Sequence, residues 1–188
     1  VPRVGRAAAD LCRLAFALGR ADDVKAMAKL ALDTALHGAG AARGIVLLPP
    51  HVGDLAHASG PAAAPAEALV AMASVPEPWP LGGTPAGVAA AVIAANEALL
   101  AAASPDATRS PEDPAATISA PLRARGTVVG VLHVEVLAKD RECTPEDLEF
   151  VMAVCDALGV ALENLSAREA LSTKLATTAD ENERLRRR

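Results

Sequence analysis

Along residues 6–18 the apolar positions Ala7, Leu11, Leu14 and Leu18 recur at spacings of four and three, a heptad stripe that predicts an amphipathic helix. Gly19 is placed to end it. Asp22 or Asp23 caps a second helix, on which Val24, Met27, Ala28, Leu32 and Leu36 share a face, and Gly38 and Gly40 stop it. Residues 44–48, Gly-Ile-Val-Leu-Leu, are short and branched and are bounded by Gly and Pro-Pro, the pattern of a buried strand. A turn through His51 would return the chain along residues 54–59. Residues 60–83 are rich in Pro and Gly and read as loop, with a short helix over 66–73. Thr84-Pro85 then starts a further helix, whose periodicity alone runs to Ala103.

Residues 117–123 and 127–136 flank Arg125-Gly126 and form the clearest hairpin of the chain. A three-residue turn, 124–126, with Gly126 left-handed in a bulge, opposes Ile118 to Leu132, Ala120 to Gly130 and Leu122 to Val128. One face is then apolar throughout (Ile118, Ala120, Leu122, Leu132, Val134, Val136). The other is mixed: Thr117, Ser119, Val129, Val131, His133 and Glu135. Thr144-Pro145-Glu146-Asp147 starts a last helix, with a Thr cap, Pro in the first turn and acids behind it. Leu148, Val151, Cys155, Leu158, Leu162 and Leu165 mark its apolar stripe. Leu171, Leu175, Thr178, Asn182 and Leu185 resume the alternation after a shift of six residues.

Composition narrows the function. The chain of 188 residues carries a net charge of −5 and is 2% aromatic, with no Tyr. Neither a basic footprint nor a base-stacking surface is available, so direct nucleic-acid binding is not expected. The apolar run near 88–103 is Ala-rich and interrupted by Asn96 and Glu97, so no membrane span is expected there. Cys12, Cys143 and Cys155 are odd in number and widely spaced, which suggests neither a disulfide frame nor a zinc site and fits a reducing cytoplasm. The ends read as cut from a longer bacterial chain.

Three segments carry a family resemblance. Gly38-Ala39-Gly40-Ala41-Ala42-Arg43-Gly44 leads into Ile45-Val46-Leu47-Leu48. Thr117-Ile118-Ser119-Ala120-Pro121-Leu122 precedes Gly126-Thr127-Val128-Val129-Gly130-Val131-Leu132. Thr144-Pro145-Glu146-Asp147-Leu148 continues to Ala161-Leu162-Glu163-Asn164. In this order, over about residues 22–166, they resemble the first-strand entry, the late hairpin and the C-terminal helix of a GAF domain. The resemblance implies an α+β fold: a central antiparallel sheet of about six strands, terminal helices packed on one face, and a pocket roofed by loop and helix on the other. It also implies that residues 98–102 are a strand and that Asn96 ends the helix before them.

His133, Thr117 and Ser119 on the mixed hairpin face are the candidate ligand-binding residues, since a histidine beside two hydroxyls suits a polar ligand. Arg109, with Glu112 and Asp113, falls in a loop that would roof the pocket. The bland reading is a histidine bonded to its neighbours to satisfy its own burial, with solvated loop charges. His51 and His57 do not make up a metal set, and no metal or cofactor is expected. The Asn-Lys…Phe…Asp-Glu constellation of cyclic-nucleotide-binding relatives is absent, because Asn96 precedes Glu97 and no Phe lies between it and Phe150. Haem- or bilin-binding relatives use a Cys–His neighbourhood, and no Cys here adjoins a His. Relatives that reduce free methionine sulfoxide use clustered pocket thiols, whereas only Cys143 lies in a loop.

These features lead to one expectation: a non-catalytic, small-molecule-sensing regulatory domain. Its helices would relay a signal to an effector domain of the same full-length chain, for example an enhancer-binding transcription activator or a histidine kinase. The divisions are an N-terminal dimerisation helix (1–20), the GAF-like domain (21–166) and a coiled-coil connector (167–188). Both helical stripes are expected to pair in a homodimer. A ligand-free dimerisation module and, more distantly, a thiol-dependent reductase are the alternatives.

Overall fold

The computed structural model describes residues 3–50, 65–79, 85–102, 113–137 and 143–187. In chain order the elements are α1 (Arg3–Leu18), α2 (Val24–Ala39), β1 (Arg43–Leu48), a single 3-10 turn (Ala66–Ala68), β2 (Val70–Val75), α3 (Ala86–Ala95), β3 (Leu99–Ala102), β4 (Pro114–Ala124), β5 (Thr127–Leu137) and α4 (Pro145–Arg186). Local chemistry sets their ends. The Asp23 carboxylate accepts from the Ala26 amide at 3.0 Å to cap α2, and Gly40 closes that helix at φ 60°. Thr144 donates its backbone N–H to Asp147 Oδ2 at 2.8 Å and so fixes the start of α4.

The described strands form one antiparallel sheet of five, against about six expected, in the order β2-β1-β5-β4-β3. β5 is thus central, with β4 beside it. Two local expectations change. Residues 66–73 hold only the 3-10 turn before β2, which pairs with β1 and packs Met72, Ala73 and Val75 on the core. Ala, Glu, Leu and Met all favour helix, so at these residues pairing with the free edge of β1 overrides local preference. The strand expected over 54–59 lies outside the described residues, as do His51 and His57. By contrast, α3 ends at Asn96, left-handed at φ 53°, and Leu99–Ala102 is a strand, as the resemblance implied.

α2 and the first half of α4 cover one face of the sheet, and α1 packs against those two helices. Leu32, Leu48, Ile118, Leu122, Leu132, Leu158 and Leu162 are fully buried there. Leu14 and Leu18 are buried in this core as well, with Ala7 and Leu11 packed against it. The stripe of α1 therefore has its partner within its own chain, against α2 and α4, which corrects the expectation that it waits for a second copy. Leu14→Asp would accordingly disturb folding before it disturbed assembly. By length and composition α4 could cross a membrane, but 56% of its most apolar window is buried inside the protein and serves as core helix. From Ala167 onward α4 is exposed.

The hairpin turn differs from expectation in an informative way. Arg125 (φ 51°) and Gly126 (φ 77°) are both left-handed and make a two-residue turn closing Ala124 on Thr127. Such a turn alone would put every side chain on the wrong face. One extra residue, Val129, is left unpaired between the pairs Leu122–Gly130 and Arg123–Val128, and this bulge restores the faces. Ile118 consequently opposes Val134, and Ser119 opposes His133. Val129, expected on the mixed face, is buried in the main core.

Candidate functional site

On the sheet face turned away from α1, α2 and α4, the strand registers align three rows of residues. The first runs Arg43, Glu135, Thr117, Ala101; the second Ser74, Ile45, His133, Ser119, Leu99; the third Ala71, Leu47, Val131, Pro121. Alternation along β1, β4 and β5 puts all three on one face. α3 lies over part of it: Ala89 and Val92 bury Ile45, Leu47 and Val131, with Leu69, Trp79 and Ile93 around them. Ile45, Leu47 and Val131 are thereby buried, and the polar groups gather toward the end that carries Arg43.

Those groups form a chain of contacts. Ser119 Oγ lies 2.7 Å from His133 Nδ1, both side chains being buried. His133 Nε2 lies 3.5 Å from Glu135 Oε1, and Glu135 Oε2 lies 3.1 Å from Arg43 Nε. The Trp79 ring meets the imidazole edge-on, with centroids 6.3 Å apart. The contact from His133 holds the Glu135 carboxyl below its ordinary pKa, aided by the charge of Arg43 and opposed by partial burial. The imidazole thus bridges the serine hydroxyl at Nδ1 and the carboxylate at Nε2. All four are polar side chains, carried on the three adjacent strands β1, β5 and β4. Leaving a buried polar group unpaired costs about 1–3 kcal/mol, so the serine–histidine bond and the Glu135–Arg43 ion pair hold one another in place.

The expected site residues are brought together in part. His133 and Ser119 are direct partners, rather than diagonal neighbours, because of the two-residue turn together with the bulge at Val129. Thr117 stands one row further on, opposite Glu135 and half-buried. Arg109 lies outside the described residues, as does Glu112. Glu135, Arg43 and Trp79 were missed as site residues. The signal for Glu135 was its place two residues past His133 on the same strand face. Arg43 and Trp79 are supplied by β1 and the segment after β2, whose pairing leaves no local signature.

Serine, histidine and glutamate in line resemble a nucleophile with its base, but the Ser119 side chain is enclosed at 1% residue exposure and bonded to the imidazole from within the sheet. The geometry fits an orienting role. Among the described residues no three His, Cys, Asp or Glu side chains converge as a metal set. Cys155 is buried on the helix side, its thiol directed at the Ala120 carbonyl and its pKa pushed up by burial. Cys12 is exposed on α1.

A family model for the GAF domain matches residues 21–163. No curated protein matches the chain significantly. Several solved structures share its fold at low identity. The GAF domain of an Acinetobacter phosphoenolpyruvate-protein phosphotransferase is 13% identical with a TM-score of 0.59, over 84% of this chain and 93% of that one. The GAF domain of the potassium sensor histidine kinase of Escherichia coli is 22% identical with a TM-score of 0.55, over 87% and 98%. The free methionine-R-sulfoxide reductase of Neisseria meningitidis, solved with its substrate, is 17% identical with a TM-score of 0.57, over 88% and 93%.

Proposed function

The chain belongs to the GAF domain family, and from that premise we propose that it is a non-catalytic sensory domain whose ligand is a small polar molecule bound on the sheet face around His133. The observation that carries the reading is the Ser119–His133–Glu135–Arg43 array, set at the polar end of a face whose centre is buried under α3. Few buried polar groups converging beside an apolar floor are what orient a ligand in a small-molecule site. His133 and Thr117 face that ligand, Ser119 orients the imidazole from within the sheet, and Arg109 would approach from the roof. Occurrence of the fold in a potassium sensor histidine kinase supports a signalling role. α4 carries core residues at one end and an exposed helix at the other, so it is suited to pass a change in the sheet to an effector such as a histidine kinase or an enhancer-binding activator.

The reductase reading has less support. A dithiol relay needs two accessible thiols, and Cys155 is buried with its pKa raised. The test is a thermal-shift screen of amino acids, organic acids, sugars and nucleotides. A ligand at a hundredfold excess over its dissociation constant adds about 2.7 kcal/mol, which for a domain of this size is a rise of about 5–10 °C. That shift should vanish in Thr117→Val and His133→Leu. A shift that survives both substitutions, or a screen with no hit, overturns the proposal.

A further inference from the structure

α3 lies over the sheet face that carries His133, and α4 packs on the opposite face. β4 stands between them and touches both. On the α3 side the contact is one side chain. Arg123 donates from Nε to Asn96 Oδ1 at 2.9 Å and from a terminal guanidinium nitrogen to the Asn96 carbonyl at 2.7 Å. Asn96 is the left-handed residue, φ 53°, that closes α3. That helix has ten residues, all Ala, Gly, Val or Ile, with no acid in its first turn and no base in its last. A helix so short is marginal alone. The guanidinium brings to its negative end the charge and the donors that its own sequence lacks. On the α4 side the contact is backbone. Cys155, Gly159 and Glu163 recur at a spacing of four and so form one row of the helix. Cys155 Sγ lies 3.9 Å from the Ala120 carbonyl oxygen, and a Cβ on Gly159 would stand 2.0 Å from that of Arg123. The Glu163 carboxylate accepts from the Arg125 amide. The row therefore follows the main chain of β4 from Ala120 to the hairpin turn.

We propose that Arg123 is a positioning residue that ties the helix over the ligand face to the connector helix, so that a displacement of α3 is passed to α4 through the main chain of β4. Its two bonds hold both the side chain and the carbonyl of Asn96, and the planar guanidinium keeps both only while Asn96 stays in place. A movement of the end of α3 therefore pulls on β4. The absence of a side chain at Gly159 leaves nothing between the Arg123 carbonyl and the backbone of α4 that could rotate and absorb that movement. Glu163, one turn on, holds the hairpin turn to the same helix. Ala89 and Val92 seat α3 on Ile45, Leu47 and Val131, so a molecule entering beside them displaces the helix that Arg123 anchors. The meaning of the tie for signalling rests on the ligand site proposed at His133. The tie itself is tested without a ligand, so a failed ligand screen leaves its result standing.

Val92→Ala supplies the displacement. Val92 is fully buried beneath α3, in a cluster separate from the core under α4. The readout is the amide chemical shifts of the full chain by NMR. In the parent, Val92→Ala should shift the amides of Gly159 and Glu163 along with those of Ile45 and Val131. In an Arg123→Met background the shifts at Ile45 and Val131 should persist, and those at Gly159 and Glu163 should be lost. Asn96→Gly keeps the left-handed turn and the carbonyl and removes only the Oδ1 acceptor. It should diminish the response at α4 without altering β4, and it decides the matter if Arg123→Met does not fold. A residue that merely capped α3 would lower stability when replaced and leave the response at α4 as it was. A response as large in Arg123→Met as in the parent, an undiminished response in Asn96→Gly, or no response at Gly159 and Glu163 in the parent overturns the tie.

Discussion

Gly159→Ala tests whether the connector helix is seated on the strand that bears Ser119. A Cβ built at Gly159 would lie 2.0 Å from the Arg123 carbonyl oxygen and 3.1 Å from its carbon. An ordinary contact begins at 3.4 Å, so helix and strand must part by about 1.4 Å. The obstacle is backbone and cannot rotate away. Arg123 is also held from the far side, donating from Nε to Asn96 Oδ1 at 2.9 Å and from a terminal nitrogen to the Asn96 carbonyl at 2.7 Å. The hairpin turn is tied to α4 as well, through the Arg125 amide and Glu163. Overpacking of this kind costs about 3 kcal/mol, offset by about 1 kcal/mol of helix preference for Ala over Gly. The net loss of about 2 kcal/mol lowers Tm by about 4–8 °C. Urea and thermal unfolding followed by circular dichroism measure it, with Gly87→Ala on α3 as control. Nothing stands within 4 Å of a Cβ there, so that variant should gain stability. A Gly159→Ala protein as stable as the parent would refute the close seating of α4 and the route by which a change in β4 reaches the connector.

Two further outcomes are expected. Hydrogen exchange should find the amides of residues 131–134 among the slowest, because β5 is paired there on both sides, with β1 and β4, and rapid exchange there would contradict the strand order. Glu135 has a folded pKa below its ordinary 4.5, so it contributes stability that is complete above that pH and is lost as pH falls through the lower folded value. Glu135→Gln should therefore flatten the acid limb of the stability curve below about pH 4.5, and an unchanged limb would remove the His133–Glu135 interaction.

The sequence made most helices and the late hairpin legible because their signals are local: caps at Asp23 and Thr144, an apolar face at Ile118, Leu132 and Val134, a stop signal at Gly40; the end of α3 at Asn96 came only from the family resemblance, since periodicity ran on to Ala103. What it hid was set by pairing across distance. β2 has no strand signature in Val-Ala-Met-Ala-Ser-Val and exists because β1 presents an edge. The stripe of α1 looked unpartnered because only the fold reveals that α2 and α4 enclose Leu14 and Leu18. His133 and Ser119 were recognised from one strand pair, although their register rested on a bulge at Val129 that no residue preference announces. Arg43 entered the site through the β1–β5 ladder, which joins residues some ninety positions apart.

The central claim, a small-molecule site on the sheet face at His133, is tested most directly by NMR titration of a compound that raises the melting temperature. The account predicts that the His133 ring nitrogens and the amides of Thr117, Ser119 and Glu135 shift together with saturation. Shifts confined to the groove between α1 and α4, with the His133 ring unmoved, would contradict it.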